Sequence, residues 1–159
     1  MITIRQAGPG DFELVAGFIR KLAEYEKLAH EVRFDDDVLR DHLFGERPAA
    51  EVLIGEVDGV PSGFALFFQT FSTFEGKPGI WLEDLFVEPH ARGAGLGRAL
   101  LARLAALVLE RGGARLEWNV LDWNELGQGF YRSIGAAHVE GWERWRMEIA
   151  AIEALSRGV

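Results

Sequence analysis

Ile80-Trp81-Leu82-Glu83-Asp84-Leu85-Phe86-Val87, then Arg92-Gly93-Ala94-Gly95-Leu96-Gly97, then a leucine-bearing stretch that runs to Arg111, together decide how the chain is read. The first segment is apolar at nearly every position, as in a strand buried on both faces. In the third, Leu96, Leu100, Leu104, Leu107 and Val108 share one face of a helix predicted over Leu96 to Arg111, and Gly112 and Gly113 stop it. Strand, glycine turn and helix in that order form one unit of a layered sheet-and-helix fold.

Outward from this unit the same periodicities continue. Ile2 to Arg5 alternates like a short strand, and Asp11 stands where it can cap a helix carrying Phe12, Val15, Ile19 and Leu22 at helical spacing. A second helix is predicted from Asp35 to about Phe44, closed by Gly45 and Pro48. Val52 to Val57 and Gly63 to Phe71 read as strands, and Asp58-Gly59 between them signals a hairpin. Leu116 to Val120 is a further strand, Asn124 to Ser133 a short helix stopped at Gly135, and Glu143 to Ile149 a last alternating strand. Hairpin strands followed by a strand, helix, strand, helix, strand series predict a mixed sheet with helices on both faces, of the α+β or α/β layered class. No repeat or linker interrupts the chain, so residues 1–159 read as one domain.

Composition narrows the partners. Apolar residues make up 48% and charged residues 26%, the balance of a globular protein. A net charge of −8 and a pI near 5.0 disfavour nucleic acid or an anionic membrane surface as partner, and suit a cationic small molecule or simple solubility. The absence of cysteine excludes disulfides, thiolate metal sites and a cysteine acyl-enzyme. His30, His42, His90 and His138 lack ligand spacing, so no metal is expected. Met1 to Phe12 has no apolar leader core and the aliphatic stretch around Leu104 to Leu109 is far short of a span, which makes cytoplasmic residence the expectation.

The glycines at 93, 95 and 97 lie where backbone N–H groups can turn toward an anion at a helix N-terminus, with Arg92 and Arg98 as added charge. A phosphate or pyrophosphate site is one reading; a tight strand-to-helix turn is the other. The P-loop pattern fails for want of a following Lys-Ser or Lys-Thr, and the dinucleotide fingerprint fails because Arg98 stands where its third glycine belongs. Glu83 and Asp84 interrupt an apolar strand, which reads either as a functional cleft or as a solvated strand end.

R-G-x-G-x-G after a strand reading L-E-D-L-F-V resembles the acyl-coenzyme A loop of the GNAT acetyltransferase superfamily. The chain resembles more specifically the diamine (spermidine/spermine) N-acetyltransferases and their thialysine-acetylating relatives. The resemblance runs through Leu22-Ala23-Glu24-Tyr25-Glu26, Phe44-Gly45-Glu46, Leu82 to Val87, Arg92 to Gly97, Trp123-Asn124-Glu125, Phe130-Tyr131-Arg132, Gly135-Ala136 and Glu140-Gly141-Trp142. It implies the GNAT fold, a mixed and mostly antiparallel central sheet with helices on both faces. It also implies direct transfer of acetyl from acetyl coenzyme A to a primary amine, with a polyamine or diamine as the leading acceptor. A lysine-like amino acid such as thialysine, an aminoglycoside or a peptide amine are the enzymatic alternatives, and an acyl-coenzyme A sensor the non-enzymatic one.

By the same resemblance Tyr131 is the acid that protonates the departing thiolate, and Glu83 helps deprotonate the amine, through water. Backbone groups of Leu85, Phe86 and Val87 would hold the thioester carbonyl and pantetheine arm. Arg92, Gly93, Ala94, Gly95, Leu96, Gly97 and Arg98 would hold the pyrophosphate, with Asn124 and Tyr131 completing the cofactor site. Tyr25, Glu26, Glu83, Asp84, Glu140 and Trp142 would receive the amine, since carboxylates and aromatic faces both attract ammonium. A homodimer is expected. Two departures from the family's pattern bear on which acceptor is used: Gly127 and Gly129 loosen the helix before Tyr131, and the Trp118-Asn119-Val120 strand differs from the polyamine enzymes.

Overall fold

Asp58 and Gly59 both take left-handed backbone, with φ of 52° and 79°, and reverse the chain between Val57 and Val60 as the hairpin signal predicts. The computed structural model describes residues 1–158, which divide into a unit from Met1 to Leu121 and a second from Asp122 onward. In the first unit the chain runs β1 (Ile2–Gln6), α1 (Phe12–Tyr25), α2 (Asp36–Phe44), β2 (Glu51–Val57), β3 (Val60–Ser72), β4 (Lys77–Val87), α3 (Leu96–Glu110) and β5 (Arg115–Trp118). The strands lie in chain order in one sheet, antiparallel from β1 to β4, with β5 parallel to β4 after the α3 crossover. This is the mixed α+β sheet expected.

Period-two alternation divides the core between two layers. Val52, Ile54, Phe64, Leu66 and Phe86 pack with Val15, Phe18 and Leu22 of α1 and Leu43 of α2. The Phe18 ring stacks on Phe64 at 5.5 Å and meets Phe86 at 6.0 Å. The opposite face carries buried Leu53, Ala65 and Phe67 and receives α3. There Leu96, fully buried at the first turn of α3, occupies the space above two glycines. A Cβ on Gly55 would stand 2.7 Å from Leu96 Cδ1, and one on Gly63 would stand 3.3 Å from Leu96 Cδ2 and 2.6 Å from the Phe86 carbonyl. Burying such a leucine contributes roughly 1.5–3 kcal/mol, and here it also fixes where the N-terminus of α3 sits.

One irregularity in β4 shapes the edge of the sheet. Leu66 pairs with Asp84 and Phe67 with Leu82, so Glu83 is an extra residue with no partner on β3. Pairing with β5 spans only Gly79 to Leu82, and past the bulge β4 is joined to β3 alone. Asp11 heads α1 as expected, yet its carboxylate does not cap the helix. It accepts the Gly8 N–H at 2.8 Å and takes both terminal nitrogens of Arg5 at 2.9 Å, because that charge outcompetes a helix amide. Asp35 does cap α2, accepting from the Asp37 and Val38 amides at 3.0 and 3.1 Å.

The second unit holds α4 (Glu125–Ser133) and α5 (Ile149–Arg157), and no side chain described in it is buried. Asn124 Oδ1 accepts the Gly127 N–H at 3.0 Å, and a Cβ on Gly127 would come within 2.7 Å of the Asn124 amide nitrogen. Gly127 therefore makes room for the cap rather than loosening the helix. The last predicted strand is not formed: 142–148 is irregular, and Ile149–Arg157, read partly as its end, is helical. Alternation alone does not make a strand without a ladder partner, while Ile149-Ala150-Ala151-Ile152-Glu153-Ala154-Leu155 is rich in good helix formers. The fifth strand is also shorter than predicted, ending at Trp118 instead of Val120. Among the described residues no helix is long and apolar enough to cross a membrane.

Gly63→Ala is expected to destabilise the protein by about 1–3 kcal/mol in urea unfolding, since the Phe86 carbonyl is backbone and cannot swing aside. Gly129→Ala, with no atom within 4 Å of the added methyl, is expected to be neutral or stabilising by up to about 1 kcal/mol.

Candidate active site

The C-terminal end of α1 sets the first part of the site. Lys27 turns left-handed at φ 60°, letting its own N–H reach the Glu24 carbonyl at 3.1 Å and the Leu28 N–H reach Ala23 at 2.8 Å. The helix thus closes on its own carbonyls just after Tyr25 and Glu26. Because Phe18 and Leu22 of the same helix lie on Phe64, Leu66 and Phe86, its end is held over the bulged part of β4. Asp84, paired with Leu66, shares that face.

Three carboxylates converge there. Glu83 is exposed and Asp84 half-buried. Burial pushes the Asp84 carboxyl up to about 7, reinforced by the negative charges of Glu83 and then Glu26. Glu26 is raised as well, by burial first and by Glu83 second. The indole N–H of Trp81 donates to Glu83 Oε2 at 2.8 Å. Such a group attracts a cation, and its Asp84 member holds its proton to a higher pH than an ordinary aspartate does. Among the described residues no set of three or more His, Cys, Asp or Glu side chains is placed to hold a metal ion.

The second part of the site is the end of β4 and the glycine turn. Beyond Leu82, backbone groups of β4 that face away from β3 have no neighbouring strand, which leaves the Leu85 to Val87 segment able to accept an extended ligand chain along its edge. Gly93 and Gly95 adopt φ of 82° and 91°, and nothing lies within 4 Å of a Cβ placed on Gly93. The first helical bond of α3 runs from the Ala99 N–H to the Gly95 carbonyl at 3.0 Å. The amides of Leu96, Gly97 and Arg98 precede it, where a helix has no carbonyls of its own to offer and an anion is favoured. The turn fits a pyrophosphate.

Arg92, expected from sequence at the pyrophosphate, is anchored at the mouth of the turn. Its Nε donates to the Val87 carbonyl at 3.0 Å, and its guanidinium lies 4.9 Å from the Tyr25 ring centroid and 5.9 Å from that of Phe86. It joins the start of the turn to the strand end and to α1. Arg98 is exposed on the first turn of α3.

Within the second unit, Tyr131 is half-buried on α4 with its ring 5.5 Å from that of Phe130, and Asn124 caps the same helix. Glu140 and Trp142 lie on the irregular segment before α5, with Trp142 80% exposed. Trp81 was not among the residues singled out from sequence. Its spacing of two from Glu83 in an extended segment was the available signal, since such residues share a side of a strand.

Comparison with known proteins supplies the lineage. The model of the acetyltransferase (GNAT) family matches residues 19–136. A thialysine N-epsilon-acetyltransferase from Bos taurus is 35% identical over 166 residues, covering 98% of this chain and 97% of its own. An L-ornithine N5-acetyltransferase, NATA1, from Arabidopsis thaliana is 27% identical, covering 97% of this chain and 87% of its own. Among solved structures, an integron cassette protein from V. cholerae superposes with a TM-score of 0.80 at 25% identity over 98% of both chains.

The carboxylate cluster has a signature in stability. An acid whose pKa is raised by folding holds its proton more tightly in the folded state, so its contribution is fully present below 3.8 and is lost as pH rises through about 7. Urea unfolding at a series of pH values across that window is expected to show stability falling with pH in the native sequence and a flatter dependence in Asp84→Asn.

Proposed function

The chain belongs to the acetyltransferase (GNAT) family, acyltransferases that draw on acetyl coenzyme A, and from that premise we propose that it acetylates the terminal primary amine of a small polycationic acceptor, a diamine or polyamine. The observation that carries this reading is the convergence of Glu26, Glu83 and Asp84 beside the end of β4. Three carboxylates with the Tyr25 ring next to them match an acceptor bearing more than one ammonium group.

The acceptor nitrogen must lose a proton before it can attack. Glu83, exposed at the bulge, takes that proton, directly or through a water, and leaves the electron pair on nitrogen. The amine then adds to the thioester carbonyl, a C–N bond forms, the C–S bond breaks as the carbonyl re-forms, the phenol of Tyr131 gives its proton to the departing thiolate, and the second proton shed by the acylated nitrogen passes through water to restore the phenol. Backbone N–H groups along Leu85 to Val87 are suited to the carbonyl oxygen as its charge grows, and the amides of the 93–98 turn to the pyrophosphate. Arg92 braces that turn. Asn124 orders the helix that carries Tyr131, and Glu140 and Trp142 extend the acceptor site. No step passes through a covalent enzyme intermediate, in keeping with a chain that has no cysteine.

A second reading is favoured by the relatives, whose names specify thialysine and L-ornithine. Both are amino acids with a terminal amine, and a lysine-like amino acid would use the same carboxylates for that amine. We further read residues 1–159 as one catalytic domain, cytoplasmic and homodimeric. The irregular 142–148 segment supports the dimer: its alternation is that of a strand, and Trp142 and Trp145 are 80% and 87% exposed.

Free thiol release from acetyl coenzyme A with spermidine, putrescine, lysine, thialysine and an aminoglycoside tests the reading. Turnover is expected with the polyamines; turnover with thialysine alone favours the second reading, and cofactor binding without turnover on any amine would defeat both. Tyr131→Phe is expected to lower kcat by about 10² to 10⁴ with the fold intact. Glu26→Gln is expected to raise KM for the amine and spare that for acetyl coenzyme A.

A further inference from the structure

Glu83 is in an unusual mechanical position. As the extra residue of the bulge it has no partner on β3, and pairing with β5 stops one residue before it. Its side chain is exposed, and the two nearby carboxylates, Asp84 and Glu26, repel it. A glutamate on such a site, left to itself, would swing outward into solvent and away from the other two charges. In this chain it is held: the Trp81 indole N–H reaches its Oε2 at 2.8 Å.

The chemistry of that donor matters. An indole N–H donates only and does not titrate, so its side of the bond does not change with pH. It occupies one oxygen and leaves the lone pairs of Oε1 available. Trp81 is itself half-buried and lies on a regularly paired part of the sheet, between Phe68 of β3 and Glu117 of β5, so the donor is anchored where the acceptor is not.

We propose that Trp81 is a positioning residue for acetyl transfer, its indole N–H fixing the Glu83 carboxylate so that Oε1 receives the proton leaving the acceptor nitrogen. The inference rests on Glu83 being the base.

A double-mutant cycle read as kcat and as KM for each substrate tests it, using Trp81→Phe, Glu83→Gln and the combination, each checked for fold by circular dichroism. Trp81→Phe keeps an aromatic ring on the strand, smaller than indole and without the N–H. It is expected to lower kcat with the amine roughly 10-fold and to leave KM for acetyl coenzyme A unchanged. In the Glu83→Gln background the same exchange is expected to have no further effect, because both changes act on one group. Equal losses in the two backgrounds, or a Trp81→Phe enzyme with native kcat beside an impaired Glu83→Gln, would overturn the role of Trp81 while leaving Glu83 as base. A fully active Glu83→Gln would overturn the base assignment and this inference with it.

Discussion

One unpaired residue in the β3–β4 ladder organises everything on its side of the sheet. With Glu83 inserted, the strand changes which of its side chains face α1: Ile80 and Leu82 pair with Gln69 and Phe67 on the α3 layer, whereas Asp84 and Phe86 pair with Leu66 and Phe64 on the α1 layer. Phe86 then joins the core around Phe18 and holds α1 in place, and Asp84 comes under the end of that helix. The same insertion coincides with the point where β5 stops following β4. A single extra residue thus brings the carboxylates together and marks the opening along the strand edge beside them.

The opposite layer is fixed by contact rather than by charge. Leu96, the first residue of α3, lies directly over Gly55 and Gly63, where a Cβ would crowd it at 2.7 and 3.3 Å. The N-terminal end of the helix is therefore located by an apolar contact on the far face of the sheet from the carboxylates, and Arg92 spans from the turn to the end of β4 and Tyr25.

Much of this was legible in the sequence. Strong periodicity gave the strand-turn-helix unit and α1, and Asp58-Gly59 gave the hairpin, because each rests on local chemistry. Glu83 and Asp84 stood out as carboxylates in an apolar strand, and the structure makes them part of one acidic cluster with Glu26. The bulge that joins them was not readable, since a one-residue slip depends on the partner strand. The direction of the Arg92 side chain depends on Tyr25, which is 67 positions away in the chain and so outside any local pattern. The segment after Gly141 failed for the same kind of reason: alternation implies a strand only where another strand is within reach.

The ring of Tyr25 is where the acidic cluster and the glycine turn meet, with Glu26 on the next residue and the Arg92 guanidinium over its face. This makes the two regions unequal in how freely they can diverge. Exchanges at Glu26 or around Glu83 can alter the cluster over generations without disturbing the glycine turn, whereas an exchange at Tyr25 changes the surroundings of both at once. Lineages that vary the cluster on this scaffold would accordingly do so around a retained aromatic ring.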